Sequence, residues 1–490
     1  MRNKTFAIIL ASLLGIGSAS AQYNETNNLF YHSFRTPQSN QLNPAFFPNK
    51  NTFYLTLPSF GLRFGAPLSI SDIMYYDEAS GNTVISINRI LDSLTTNNRF
   101  RLGYDMDIVG FGLKIGNTFV DFNTRWINNF SMGLPMDMVN ALLNGNVDEN
   151  GQAINEVRLL NGDLLNFQSY LEMSLGLGHR FPLLGLTVGA RAKLLSGVMN
   201  LQTDNSRIVL NTEDDMESVS VDAYYQLQGA LCVPIDSNLS NFSISDIGIN
   251  EVLGAFGANT GVAFDLGAKY DFGPFSFSAS INDLTAGIHW KKNTYTVSPV
   301  GGHSTITIEG DNVRTILNQG EMNTDSLTAR MQQFLNDLVP DTTTGADYWF
   351  SIPTKINLGA SFSFAKILRA GLLFHGQFDR GLLSQKNKYE LDLTDEIKNT
   401  FRFNTTLSFH ANLFNWAEVI IGSSIVYDGK KINPLNPGVG LVFTPATAFQ
   451  VYLMADYVSS IYLVEAKAFN VKFGLNLLFG MGGGSAIVEN

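Results

Sequence analysis

The sequence predicts an all-β protein: a transmembrane antiparallel β-barrel of 14 strands, with 16 as the alternative, an N-terminal hatch and short helices in extracellular loops. Three observations predict it. Segments of roughly ten residues alternate apolar and polar side chains along the whole chain, the period of a strand with one greasy and one wet face. The connections between them are short on one side and long on the other. Charged residues make up 15% of the chain and hydrophobic ones 45%, against about 25% charge in an average soluble domain. The apolar residues are nevertheless dispersed, and no run past the N-terminus approaches the ~18 residues of a membrane helix.

The elements follow in chain order. Residues 1–21 read as a signal peptide: Arg2 and Lys4 precede the apolar run Phe6 to Ile16, and Ala19-Ser20-Ala21 fits small-x-small cleavage ahead of Gln22. No Cys follows that site, so a lipid anchor is not expected. Residues 22–50 hold Asn40-Gln41-Leu42-Asn43-Pro44-Ala45-Phe46-Phe47-Pro48. The prolines block regular structure, while Phe30, Phe34, Leu42, Phe46 and Phe47 are too apolar for a solvated tail. This segment is expected to lie buried in the barrel mouth.

Residues 51–479 carry the strands. Phe100 to Ile108, Leu171 to Leu177, Val262 to Tyr270, Ile356 to Phe364, Phe401 to Leu413 and Phe449 to Tyr457 all alternate. The last strand, Phe469 to Phe479, has the length of a tilted membrane-crossing strand, about 9–11 residues, and Leu478 is its one exception to the alternation. It is expected to close the barrel against a strand near the hatch. Short turns fall at Gly116-Asn117, Phe181 to Leu184, Phe272-Gly273-Pro274, Ile367-Leu368, Phe414-Asn415 and Thr444 to Thr447. Longer loops fall at 127–167, 231–257, 285–350, 381–400, 429–436 and 459–466.

An even strand count keeps both termini on the periplasmic side. Including two weaker segments, Thr52–Phe64 and Arg207–Thr212, gives 16 strands and puts every short turn on one side. Omitting both gives 14, with the turn at 272–274 on the opposite side unless 231–257 crosses the barrel. Trp126, Trp290, Trp349 and Trp416 stand where strands meet connections and are expected in the aromatic girdles. Helical spacing appears within loops at Pro135–Asn144, Ser245–Phe256 and Ser326–Leu338, as structural caps or as an apolar lid. Residues 480–490 form a short tail.

These features resemble FadL-type outer-membrane proteins, which include the long-chain fatty-acid transporter and the PorV-type proteins of Bacteroidota. The resemblance spans the mature chain. It is carried by Pro37-Gln38-Ser39-Asn40-Gln41-Leu42-Asn43-Pro44-Ala45, Asp265-Leu266-Gly267-Ala268-Lys269-Tyr270, Pro353-Thr354-Lys355-Ile356-Asn357-Leu358-Gly359-Ala360 and Phe473-Gly474-Leu475-Asn476-Leu477-Leu478-Phe479-Gly480. It implies about 14 strands around an N-terminal hatch, with Asn43, Pro44 and Ala45 as hatch residues. The transporter members imply uptake of hydrophobic molecules through a lateral opening. The PorV-type members imply a partner protein in type IX secretion. One departure is that the chain does not end on its last aromatic strand.

Chemistry finds little footing. There is no Gly-x-Ser-x-Gly elbow, phosphate loop or zinc-type His spacing, so no catalytic set, metal site or cofactor is expected. Arg402 and His410 fall on the wet face of one strand as lumen-facing candidates. Glu213-Asp214-Asp215 with Glu217 reads as a solvated turn, and a hard-cation site is the alternative. Cys232 is the single cysteine and can form no internal disulfide; the net charge of −11 argues against nucleic acid. The expected partners are outer-membrane lipid, a small hydrophobic molecule, or a secretion or surface-assembly protein. The expected function is passage of small hydrophobic molecules across the outer membrane, with a non-transporting partner barrel as the alternative.

Overall fold

The computed structural model describes residues 28–47, 53–77, 81–94, 97–136, 156–161, 165–212, 218–231, 257–299, 304–309, 340–365, 367–378, 401–413, 416–427, 432–446, 448–457 and 465–480. Fourteen antiparallel strands close a barrel. They are β1 (Phe53–Thr56 continued by Ser59–Gly65), β2 (Asn97–Ile115), β3 (Thr118–Pro135), β4 (Leu165–Phe181), β5 (Leu186–Thr212), β6 (Thr260–Phe272) and β7 (Phe275–Leu284). They continue as β8 (Thr354–Ala365), β9 (Leu368–Phe378), β10 (Phe401–Leu413), β11 (Ala417–Tyr427), β12 (Ile432–Ala446), β13 (Phe449–Asp456) and β14 (Ala468–Phe479). Each pairs with its sequence neighbour, and β14 closes on β1 with Phe53 opposite Phe479 and Phe60 opposite Phe473.

The count is 14 because the two weaker segments have different fates. Thr52–Phe64 supplies the stave β1, broken where Pro58 has no N–H to donate to a ladder. Arg207–Thr212 is the far end of β5. The following strand, Ser218–Ala230, pairs with that far end and never reaches the other rim; β6 takes the near half of β5 instead. All short connections therefore share one rim without a sixteenth strand. Gly116, Gly185 and Gly273 turn three of them with φ of 59°, 63° and 55°, where a side chain would be strained.

Alternation sets the two faces. Along β14, Asn470, Lys472 and Asn476 are buried inside, while Phe473 is 50% exposed outside; Leu478 points inward onto Phe47, Tyr54 and Phe119. Leu62, Phe111, Leu175, Phe264, Leu358 and Leu407 are likewise exposed, forming the apolar outer belt that a bilayer requires. Bulges reset the phase at several points. One adds Ile108 to β2 between Asp107 and Val109, which interrupts the expected alternation, and another adds Val198 to β5 opposite Ser169 and Tyr170 of β4.

Two parts depart from expectation. The 285–350 stretch is not simply a loop. Its strands Gly287–Trp290, Thr294–Pro299, Ser304–Glu309, Pro340–Thr344 and Tyr348–Ser351 join Ser218–Ala230 in a sheet beyond the long-loop rim. This cap packs onto Ile127, Tyr170, Leu195 and Ala263. Trp290 is fully buried in that core and is not a girdle residue: Gly197 gives its ring room. Trp349 stacks on His289 at 4.5 Å, whereas Trp416 is 45% exposed at the short-turn rim. Between β1 and β2 an excursion carries the helix Ile70–Ile73, capped by Ser69 and Asp72, and the hairpin Met74–Asp77 with Asn82–Ile85. Residues 1–27, nearly all of the three helical patches, the acidic run at 213–217, Cys232 and the tail beyond Gly480 lie outside the described residues.

Candidate functional site

The lumen is tiered, and β3 to β6 spell out the tiers. Read from the short-turn rim, β5 turns inward Gly189, then Arg191 and Lys193, then Leu195. β6 sets Gly267 opposite Gly189, Asp265 opposite Arg191 and Ala263 opposite Lys193; β4 sets Gly178 opposite Gly189, with Glu172 and then Tyr170 further from that rim. A glycine floor, a charged belt and an apolar ceiling are thus stacked along the barrel axis.

The floor seats residues 28–47. Gly178, Gly189 and Gly267 lie side by side on three adjacent staves. A Cβ on Gly189 would sit 2.1 Å from the Pro44 carbonyl oxygen, one on Gly267 2.1 Å from Asn43 Oδ1, and one on Gly178 2.5 Å from the Phe47 ring. Gly359 and Gly371 make the same room for Tyr31 and His32, and Gly422 for Leu29. Only residues without a side chain let the inner segment approach this closely.

Hydrogen bonds then fix the segment all round the wall. Asn43 is fully buried; its Nδ2 donates to Tyr31 Oη at 3.2 Å and to the Ala279 carbonyl at 3.2 Å, and its Oδ1 accepts from Ala45 N at 2.9 Å. Pro44 and Ala45 are buried beside it. Gln38 and Asn476 exchange donors at 2.7 and 3.1 Å. Asn40 donates to Tyr54 and to Asp121, both at 2.9 Å. Ser280 donates to the Leu42 carbonyl at 2.7 Å, Gln450 to that of Arg35 at 3.1 Å, and Arg369 to that of His32 at 3.1 Å. Backbone that cannot join a ladder is satisfied by wall side chains, as burial demands.

Above the floor runs the belt. Asp105 pairs with Arg63 and, at 3.1 Å, with Lys472, which reaches Asp107 at 3.0 Å. Arg125 bonds Asp107 at 3.1 Å and lies 3.7 Å from Glu172. Lys193 meets Asp265 at 2.9 Å and Asp283 at 2.7 Å, and Lys355 meets Asp283 at 3.0 Å. Arg191 meets Asp121 at 3.1 Å. Asp283 is held in the left-handed region (φ 59°) with its N–H on Asp265 Oδ1. Arg63, Arg125, Arg191, Lys193, Lys355 and Lys472 are matched by Asp105, Asp107, Asp121, Glu172, Asp265 and Asp283. Buried charges need such pairing, because an unpaired one costs several kcal/mol. The β9–β13 side of the lumen is mostly neutral, lined by His375, Gln377, Asn404, Thr406, Ser424 and Asn436.

Two cavities lie on opposite sides of the inner segment. The upper, about 80 Å³, is bounded by Phe30, Gln38, Gln41 and Leu42 below and by the belt above. The lower, about 260 Å³, is roofed by Phe34 and opens among the short turns.

Arg402 and His410 lie on the lumen side of β10, but four alternations apart, and do not pair. His410 Nδ1 instead meets Glu418 Oε1 at 3.1 Å and its Nε2 meets Ser408 Oγ at 3.1 Å. That order copies a nucleophile, base and acid, yet Ser408 also donates to the Gly371 carbonyl and Ser33 of the inner segment covers Glu418. The three residues form part of the seat. Among the described residues no cluster of ligands could hold a metal ion. The belt escaped the sequence reading, although charges two residues apart on wet faces, Asp105 with Asp107 and Arg191 with Lys193, were its visible signal.

Residues 44–456 match the model of a family of unknown function (DUF5723). The chain belongs to that family. No curated protein matches the sequence. Among solved structures, the Pseudomonas putida toluene transporter TodX is similar at 10% identity over 95% of this chain and 97% of its own, with a TM-score of 0.40. A Pseudomonas aeruginosa FadL homologue is similar at 9% identity over 95% and 100%, with a TM-score of 0.43. The translocator domain of the autotransporter NalP from Neisseria meningitidis stands at 6% identity over 88% and 89%, with a TM-score of 0.30. At these values the likeness identifies no cargo.

Proposed function

We propose that this family member is an outer-membrane barrel that passes small hydrophobic molecules through a lumen closed at rest by residues 28–47 acting as a hatch. The observation that carries the reading is the pair of cavities on opposite sides of that segment. The seat supports it: Asn43, Pro44 and Ala45 rest on a glycine floor through individually modest hydrogen bonds, each about 1 kcal/mol net, which a moving segment can exchange for water. The belt is balanced and confined to one side. Past Phe30 and Leu42, the β9–β13 side offers a greasy cargo fewer charges than the belt, with Glu418 and Asp456 as its buried carboxylates. The apolar outer belt and the export-type N-terminus support an outer-membrane location.

The test is to lock the hatch. Gln38→Cys with Asn476→Cys, in a Cys232→Ser background, would be bridged by a short bis-methanethiosulfonate cross-linker. Intact cells would then be assayed for uptake of a lipophilic fluorophore. Bridging is expected to abolish barrel-dependent uptake and reductant to restore it. Equal uptake in both states would sink the proposal.

A second reading, a PorV-like partner barrel in secretion or surface assembly, is favoured by the cap sheet, which extends the wall past one rim as a docking surface. It requires a partner that co-purifies whether or not the hatch is locked.

A further inference from the structure

The excursion between β1 and β2 leaves an apolar face uncovered. In its hairpin Met74 pairs with Ile85, Tyr75 with Val84 and Tyr76 with Thr83. Strand side chains alternate between two faces, so Met74, Tyr76, Thr83 and Ile85 share one face, while Tyr75 and Val84 share the other. The second face is covered in part by the helix Ile87–Ser93, whose Arg89 guanidinium carbon lies 4.3 Å from the centre of the Tyr75 ring. The first is bare: Met74 is 42%, Tyr76 64% and Ile85 65% exposed, beside Ile70 of the preceding helix at 55%. It carries no Lys, Arg, Asp or Glu. Among the described residues the hairpin pairs with no third strand, and such a hairpin is marginal in water unless something packs on it.

Where the excursion is fixed decides what covers it. The Ala66 N–H donates to the Lys467 carbonyl at 2.8 Å, carrying the β1–β14 ladder one pair beyond Gly65 and Ala468. Lys467 thus keeps the outward phase of Phe469 and Phe473, while Ala466 and Ala468 are buried on the inward phase. Asp72 of the short helix meets Lys467 Nζ at 2.8 Å. The helix is therefore clamped to the outside of the wall, two residues, or roughly 7 Å, above Phe469. Below the clamp, Phe469, Phe64, Phe100 and Phe130 form an outward row across β14, β1, β2 and β3, with neighbouring ring centres 5.4, 5.4 and 6.1 Å apart. Aromatic rings gather where a bilayer meets water. The row marks the edge of the apolar outer belt, and the bare face is fixed at that edge.

We propose that the excursion is an interfacial foot: its helix and hairpin lie in the lipid leaflet on the long-loop side, with Ile70, Met74, Tyr76 and Ile85 toward the acyl chains and the Asp72–Lys467 clamp at headgroup level. Elements of this kind sink an apolar face about 5–10 Å into the boundary between headgroups and acyl chains. A tyrosine suits that depth, since its ring takes the apolar side and its hydroxyl the wet one. The foot holds the rim at a fixed depth where β14 closes on β1. It needs a bilayer around the barrel and does not depend on the hatch.

Full-length protein with Ile85→Cys or Tyr76→Cys, in a Cys232→Ser background, would be labelled with bimane. It would be placed one copy per disc in phosphatidylcholine nanodiscs, with and without acyl chains brominated near the headgroup. Bromine is expected to quench either label by about half or more, while iodide in the water quenches it little. Phe473→Cys on the outer belt should also be shielded from iodide, and Arg207→Cys, exposed on the cap side, should respond to iodide alone. Asp72→Asn removes the charge from the clamp, so the hairpin labels should lose bromine quenching and gain iodide quenching. Heat-modifiable gel migration confirms a folded barrel in each variant. Hairpin labels that respond as the Arg207 position does would overturn the foot. Shielding from both quenchers would assign the face to another part of the chain, and shielding that needs several copies per disc would assign it to a second copy; either would overturn the lipid. Unchanged quenching in Asp72→Asn would overturn the clamp as the anchor.

Discussion

Replacing Gly189 by valine should unseat the hatch and leave the barrel intact. The new Cβ would fall 2.1 Å from the Pro44 carbonyl oxygen and 2.7 Å from Ala45 N. Both are backbone atoms, so no side-chain rotation relieves the clash, and the segment must lift. The stave itself accepts the change, since β-branched residues suit strands. Lifting Asn43 and Leu42 breaks four bonds to the wall: those of Asn43 to the Ala268 and Ala279 carbonyls and those of the Leu42 carbonyl to Ser280 and Asn357. At about 1 kcal/mol each the loss is about 4 kcal/mol, or a factor of roughly 10³ in the seating equilibrium. The assay is maleimide labelling of a Cys placed at Ser39, which is 3% exposed, in a Cys232→Ser background. Labelling should accelerate by up to about that factor in the valine variant. Gly116→Ala strains a turn by about 1 kcal/mol and should leave labelling unchanged. Equal labelling rates in a folded Gly189→Val barrel would refute the seat.

Three further outcomes follow from the same structure. Lys193→Met leaves Asp265 and Asp283 short of a cation and should cost about 3–5 kcal/mol, read as a lower temperature for the heat-modifiable gel shift. Phe473→Lys puts a charge on the outer belt and should cost about 2–4 kcal/mol if it lies near the bilayer centre, measured as reduced folding yield into liposomes. The excursion between β1 and β2 is clamped by Asp72 on Lys467 at 2.8 Å. Burial raises the Asp72 carboxyl, but Lys467 and Ser69 outweigh it and hold it below its ordinary 3.8. The clamp should therefore persist above that value and release only as the pH falls through the lower folded value. Hydrogen exchange in residues 70–77 should be flat between pH 5 and 8, once corrected for intrinsic rates, and a loosening within that window would contradict the assignment.

The barrel was legible because its code is local. Alternation names the face of each side chain wherever the phase holds, and turn glycines mark the rim. The sequence reading of Phe469–Phe479 as the closing stave, paired near the N-terminus, agrees with the β14–β1 pairing. The seat was half legible. Asn-Pro-Ala marked the inner segment, yet Gly267 and Gly359 read as ordinary barrel glycines, because what they leave room for comes from the other end of the chain. Arg402 and His410 were legible as lumen-facing from the wet face of their strand, but not their heights, since strand rise separates them by most of the lumen.

What the sequence determined by itself was which residues face lipid and which face the lumen, since a period of two depends only on adjacent residues. What tertiary structure decided was which lumen residues share a height. That depends on the register between staves, on bulges such as those at Ile108 and Val198 and on where the sheet closes, none of which is a local property. Lys472 neutralises Asp105 and Asp107, and three glycines from three strands form one floor, only after the wall has been wound and joined.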